Sequence, residues 1–291
     1  MAFGLGLDSR VAFAATRVLL AFGLLDYNLR IIAPRFDQTF GTGSMVTPEL
    51  VSAYSFSPLF WLWDSPLALR LLFAGYLVAL VGLGAGFYAR LAHLIALPLA
   101  VAFHHANPYV IHEPQQLHNL LLWVLLFVPI EQRWTVRKTP FLESLERGGY
   151  NYRRWVALLG SAYVSSYYLF AGLKKLPDPA WLDGRALYLL VHWTPLRLET
   201  DVAELLRSST GLSMAATYLA LGFELTFAPL ACTRFRFTLP VLGLLFHVAI
   251  GFTLDVGHFL TALLPWYPFL MVERKSLVAS GSSLDHRRER R

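Results

Sequence analysis

Charge is what this sequence has least of. Only 15% of its 291 residues are Asp, Glu, Lys or Arg, against about 25% in an ordinary soluble domain, so a water-facing globule of normal composition is excluded. Cysteine is nearly absent too. Cys232 stands alone, which rules out an internal disulfide framework and a cysteine-rich metal centre, and it reads as a small apolar packing residue. The histidines do not supply a metal site either. The spacing from His112 to His118 reproduces no motif of the H-E-x-x-H kind, so no metal ligands are assigned. No internal repeat and no long low-complexity linker interrupts the chain.

What replaces charge is apolar length. The chain is 56% hydrophobic with a mean hydropathy of +0.48. A membrane-crossing helix needs about 20 mainly apolar residues. Runs of this kind lie at about 11–29, 67–88, 91–106, 117–130, 155–173, 213–231, 238–254 and 257–272. The fourth is short, and is expected to tilt or to extend into its polar flank. The first is not a cleavable signal, because Arg17 interrupts it and no small-residue cleavage site follows. The expected fold is all-α: a polytopic transmembrane bundle of eight spans in one domain over 1–275. Residues 276–291 read as a disordered basic tail.

The basic residues give this bundle a direction. With the amino terminus in the cytoplasm, 16 of the 25 Lys and Arg fall on inner segments and 7 on outer ones. The outer loops 107–116 and 255–256 carry neither residue. Both termini are therefore expected inside. The net charge of +6 belongs to a lipid-facing cytoplasmic surface. It does not belong to a nucleic-acid module, since no basic patch with interleaved aromatics stands on a soluble unit.

Two extramembrane stretches are long. In the inner one, 131–154, Thr139-Pro140-Phe141-Leu142-Glu143 reads as the capped start of a short interfacial helix. The outer one, 174–212, carries Trp181, Trp193 and several leucines, and is expected to lie partly on the membrane. A further outer segment, 30–66, holds Tyr54, Phe56, Phe60, Trp61 and Trp63, the composition of an interfacial aromatic belt.

Polar groups at membrane depth are costly, so their positions carry information. Seven of the nine histidines fall in the outer half, and only His93 and His286 face inward. Glu224 sits near the midplane of its span, where it could serve a site or merely pair with Arg17. His247, about 10 Å deep at 1.5 Å per residue, could equally be a hydrogen-bonded packing residue. His104 and His105 end a helix where an imidazole can simply meet water. Lys174 and Lys175 close the fifth run on the outer side, where lysines also snorkel to the interface. Any site assembled from these groups opens outward.

The segment around that lysine pair adds context. It runs Tyr168-Leu169-Phe170-Ala171-Gly172-Leu173-Lys174-Lys175-Leu176, and then through Asp178, Trp181, Leu182, Asp183, Gly184, Arg185 and Ala186. It resembles the signature of the vitamin K-dependent gamma-carboxylase family and its bacterial relatives, the HTTM-domain proteins. His118-Asn119 opening a span, Phe223-Glu224-Leu225, and Phe246-His247 before a glycine agree in order, and the resemblance extends from about residue 10 to 272.

By that resemblance, Lys175 matches the catalytic lysine, His118 a histidine lining the same site, and His247 a histidine near the quinone. Trp181, Asp183 and Gly184 match the loop that shapes the mouth. Lys174, Asn119 and Glu224 join them as quinone- or substrate-binding positions. The family's carboxylases use a neutral lysine to deprotonate a reduced quinone. Oxygen then generates a strong base, the quinone leaves as an epoxide, and the deprotonated carbon captures carbon dioxide. A lysine can act so only where desolvation disfavours its ammonium form.

The resemblance thus implies an inner-membrane bacterial enzyme using a vitamin K- or menaquinone-type hydroquinone, oxygen and carbon dioxide, with membrane lipid around it. Animal carboxylases continue into a large luminal domain that captures the substrate's propeptide. This chain ends soon after its last apolar run, so substrate docking is expected from a partner protein, or the substrate is smaller than a peptide. The alternative is a non-enzymatic quinone-binding or peptide-maturation partner. A transporter is disfavoured, since no inverted repeat or matched pair of broken helices is evident.

Overall fold

A computed structural model of the chain describes residues 7–44, 46–53, 55–110, 113–140 and 150–272. Among these residues the regular elements are all helical. Five helical runs are long and apolar enough to cross a membrane: Ser9–Thr39, Pro66–Ala85, Ala89–Ala106, Trp155–Lys175 and Thr210–Ala231. The chain is a membrane protein by this measure. Glu113–Leu125, Leu239–Thr253 and Phe259–Leu270 are apolar but shorter than the roughly 20 residues a perpendicular crossing needs. The basic tail and most of the anticipated interfacial helix, from Phe141, lie outside the described residues.

The helices form two compact units. The amino-terminal unit, 8–156 with 261–265, contains α1 (Ser9–Tyr27), α2 (Pro66–Ala85), α3 (Ala89–Ala106) and α4 (Glu113–Leu125). Asp8 caps α1 by accepting from the Arg10 amide at 3.0 Å, which satisfies one of the free donors at a helix start. Beyond Tyr27 the chain widens into a π-helical turn, Asn28–Ile32, then tightens into a 3-10 turn containing Pro34. Pro34 has no N–H to return to the turn before it, a local reason for the ladder to lose its regular spacing. The reversal between α2 and α3 passes through Gly86 at φ 72° and Tyr88 at φ 48°. At Gly86 a side chain would run into the backbone of Trp134 and Thr135.

Two fully buried arginines organise the base of this unit. Arg17 donates to the carbonyls of Ile130 at 2.7 Å and Trp134 at 2.6 Å. Arg90 donates to the carbonyls of Leu125 at 2.9 Å and Val128. The Leu125 carbonyl is one of those left open where α4 ends; Val128, Ile130 and Trp134 belong to the segment that follows it. Glu131, also buried, accepts from the amides of Arg90 and Thr139 at 2.7 and 2.9 Å and from the Thr139 hydroxyl at 2.7 Å. The anticipated Thr139 cap is therefore committed to Glu131. Arg90 works as a cap on neighbouring backbone as well as counting toward the charge balance.

The aromatic segment divides. Phe56 and Trp61 are exposed as a belt requires, but Trp63 is buried. Phe36 and Phe40 pack on Phe103, with ring centroids 6.3 and 5.1 Å away.

The carboxy-terminal unit holds 157–260 and 266–272. It contains most of α5 (Tyr150–Lys175), then α6 (Ala186–His192), α7 (Asp201–Ser208), α8 (Thr210–Ala231) and α9 (Leu239–Thr253). The stretch 174–212 is built, rather than draped. Asp178 caps the single turn Pro179–Leu182 through the Ala180 amide at 2.9 Å. Thr200 caps α7 through Ala203 at 3.1 Å, and Ser209 begins α8. Val191, Leu206 and Leu254 form a small core of their own, lined by Leu187, Leu190 and Ile250.

Candidate functional site

The carboxy-terminal unit brings together most of the residues singled out by sequence. Gly172 makes the approach possible. A side chain there would stand 2.9 Å from Leu225 Cδ2 and 3.2 Å from Glu224 Cβ, so only glycine lets α5 and α8 touch at this level. Three residues further on, the same approach sets Lys175 opposite Glu224. Its Nζ donates to both carboxylate oxygens.

Glu224 is buried at 8% side-chain exposure and Lys175 is part-buried at 24%, so this is an ion pair at the rim of the unit and not a solvated one. Glu224 thus takes Lys175 as its partner, and Arg17 caps backbone carbonyls instead. Lys174, on the other face of the helix, is exposed.

The loop after α5 covers the pair. Lys175 Nζ lies 4.8 Å from the centroid of the Trp181 ring, within cation–π range. Gly184, at φ 73°, closes the turn against Met214 and Tyr218, leaving no space for a Cβ. Tyr218 fixes the loop by donating to the Leu182 carbonyl at 2.9 Å, and Thr217 accepts from the Leu187 amide at 3.0 Å. Asp183 pairs with Arg185 at 2.7 Å, with both groups exposed. It therefore shapes the outside of the loop.

One turn before Gly172, α5 carries a second polar centre. The buried Tyr168 hydroxyl lies 2.8 Å from His247 Nε2 and also bonds the Tyr267 hydroxyl. Its ring stacks on Phe227 with centroids 4.1 Å apart and meets Phe223 edge-on at 5.4 Å. Gly243 makes room for Tyr267, since a Cβ there would strike its phenol ring. His247 follows one turn after Gly243, on the same face of α9. Tyr168 offers one proton and two lone pairs. It can donate to His247 while accepting from Tyr267, or the reverse.

Sequence reading passed over Tyr168 and Tyr267. For Tyr168 there was a usable signal: it stands seven residues before Lys175, two helical turns along the same face. For Tyr267, 99 residues from its partner, there was none.

His118 and Asn119 belong to the amino-terminal unit. His118 is fully buried, and its Nε2 donates to the Thr261 carbonyl at 3.1 Å. It stands against Gly23, where a Cβ would come within 2.6 Å of its Nε2. Asn119 bonds His104 Nδ1. His93, fully buried, donates to the Leu122 carbonyl at 2.8 Å. His105 and His192 are exposed. His192 bonds the Tyr188 carbonyl at 2.7 Å. His112 and His286 lie outside the described residues. Among the described residues no three His, Cys, Asp or Glu side chains gather as a metal site.

Comparison with protein-family models, curated proteins and solved structures finds no match for this chain.

Proposed function

We propose that the chain is a membrane enzyme of the gamma-carboxylase-like, HTTM-domain kind, acting on a reduced quinone with Lys175 as its base. The observation that supports this most is the placement of Lys175: about three-quarters out of solvent, closed onto Glu224 and covered by Trp181. The reading takes the three shorter apolar helices as crossings too, giving eight spans with both termini inside. The site then opens to the extracytoplasmic side of a bacterial inner membrane.

The residues fit a hydroquinone. Trp181 presents a ring face, and the Lys175–Glu224 pair presents one acidic and one basic group. Phe170, Leu173 and Leu182 beside them in the chain are exposed and apolar, so a ring dissolved in lipid meets an apolar approach. Passing a proton from Nζ to a Glu224 oxygen leaves an amine lone pair beside a neutral acid, along hydrogen bonds that already exist. Trp181 and the loop pinned by Tyr218 shield that amine from most of the solvent. Tyr168 keeps His247 and Tyr267 hydrogen-bonded two turns along α5 from Lys175. When bound, the reduced quinone with oxygen supplies the electrons and the strong base that the resemblance implies, with carbon dioxide as co-substrate.

Purified protein supplied with reduced menadione and oxygen should give quinone epoxide, and Lys175→Ala should abolish it while leaving helicity and monodispersity unchanged. If several reduced naphthoquinones yield no lysine-dependent product, the enzymatic reading fails. The double hydrogen bond of Lys175 to Glu224 also suits a second reading, in which the pair is structural in a quinone-binding or peptide-maturation partner. In that case the wild type binds a reduced quinone without turnover, and binding persists in Lys175→Ala.

A further inference from the structure

The amino-terminal unit carries an open groove of about 540 Å³, away from every residue discussed above as a site. One end is charged, with Arg35, Asp37 and Arg70; the other is apolar, with Phe73, Ala74 and Leu77. Arg70 lies four residues into α2, and Leu77 follows seven residues later, roughly 10 Å along the axis at 1.5 Å per residue. The groove therefore grades from guanidinium to hydrocarbon along a membrane-crossing helix.

Its charged end stands at a membrane boundary by length alone. Within the helical run Ser9–Thr39, α1 alone has 19 residues, about 28 Å of rise, against a hydrocarbon core of about 30 Å. Arg35 and Asp37 come at the end of that run and Arg70 near the start of the next.

From this gradient we infer that the groove holds an anionic glycerophospholipid, with its phosphate on Arg35 and Arg70 and an acyl chain along Ala74 and Leu77. Two guanidinium groups and one carboxylate leave a single positive charge, which complements a phosphodiester. Asp37 does not compete for the headgroup, because both its oxygens are taken by Arg70, at 3.2 and 2.5 Å. That pair is 58% and 60% exposed and so contributes little to stability. Arg70 gives Asp37 one hydrogen from Nε and one from a terminal nitrogen, and keeps donors left over for phosphate. Ala74, the smallest side chain on the α2 side of the groove, keeps that wall low. The inference needs only the membrane reading and is independent of the quinone chemistry.

The test is lipid retention by native mass spectrometry, with the full chain in nanodiscs of phosphatidylglycerol, phosphatidylethanolamine and phosphatidylcholine. The wild type should retain one phosphatidylglycerol preferentially. Arg35→Gln with Arg70→Gln should lower that retention about tenfold, which corresponds to about 1.4 kcal/mol. Arg197→Gln, an exposed arginine elsewhere, should leave it unchanged. Asp37→Asn separates the lipid role from a structural one, because it removes the only negative charge in the groove and should strengthen retention. Equal loss with Arg197→Gln would mean annular lipid only, and weakened retention in Asp37→Asn would mean a structural ion pair. Either result overturns the proposal.

Discussion

At the scale of single residues, the pairing of Lys175 with Glu224 decides most. Removing one member leaves the other charge at low exposure with no counter-charge, a situation that typically costs about 3 kcal/mol or more in a buried pair. Lys175→Met and Glu224→Leu should each lower unfolding stability in detergent by about that amount. The double substitution should cost clearly less than the two added together, since it leaves no stranded charge. Additive losses would show that the two side chains do not act as a pair. The same logic separates Tyr168 from its neighbours. Tyr168→Phe keeps the stack on Phe227 but strands His247 Nε2 and the Tyr267 hydroxyl, a cost of about 1–3 kcal/mol. Tyr267→Phe leaves Tyr168 its bond to His247 and should cost less. Thermal unfolding of the two variants side by side checks the order.

At the scale of elements, the closest approaches between helices fall at glycines. Gly172 lets α5 meet α8 at Glu224, and Gly23 lets α1 meet His118 and the Thr261 carbonyl. Gly172→Val should separate α5 from α8, weaken the Lys175–Glu224 bond and destabilise by about 1–3 kcal/mol, as overpacking does. Gly75→Ala, with open space around it, should fall within about 0.5 kcal/mol of the wild type or be slightly stabilising. Comparable losses for the two substitutions would remove the argument from close approach. Capping acts at this scale as well. Arg90 takes the Leu125 carbonyl that ends α4 and, with Arg17, carbonyls of the segment that follows, so charges that hydropathy counts as unfavourable in a span are bound to backbone acceptors.

At the scale of the whole molecule, orientation is the property to test, and one native residue reports it. Cys232 is exposed and ends α8, between two apolar runs and just before Arg234 and Arg236. With both termini inside, this junction faces the cytoplasm. A membrane-impermeant maleimide should leave Cys232 unmodified in intact spheroplasts and label it after lysis. Labelling from outside would reverse the topology and with it the outward-opening site. No cysteine needs to be introduced or removed, because the chain has no other.

The residue types at the candidate site were legible in the sequence. Lys175, Glu224, Trp181 and His247 stand out because charge, imidazole and interfacial tryptophan are conspicuous against a background that is 56% hydrophobic. Their grouping was not legible. Lys175 and Glu224 are 49 residues apart, and Glu224 had an equally plausible partner in Arg17. Nor could periodicity show that 174–212 folds as short capped helices around Val191, Leu206 and Leu254, since its apolar residues looked like membrane contacts.

The sequence by itself determined the solvent of this protein. Low charge, long apolar runs and the skewed distribution of Lys and Arg are sums over many residues, and such sums survive without coordinates. Only the tertiary structure decided which polar groups meet. That depends on where two helices can approach, and here the approach is set by single missing Cβ atoms, Gly172 at Glu224 and Gly243 at Tyr267, which no composition or periodicity records.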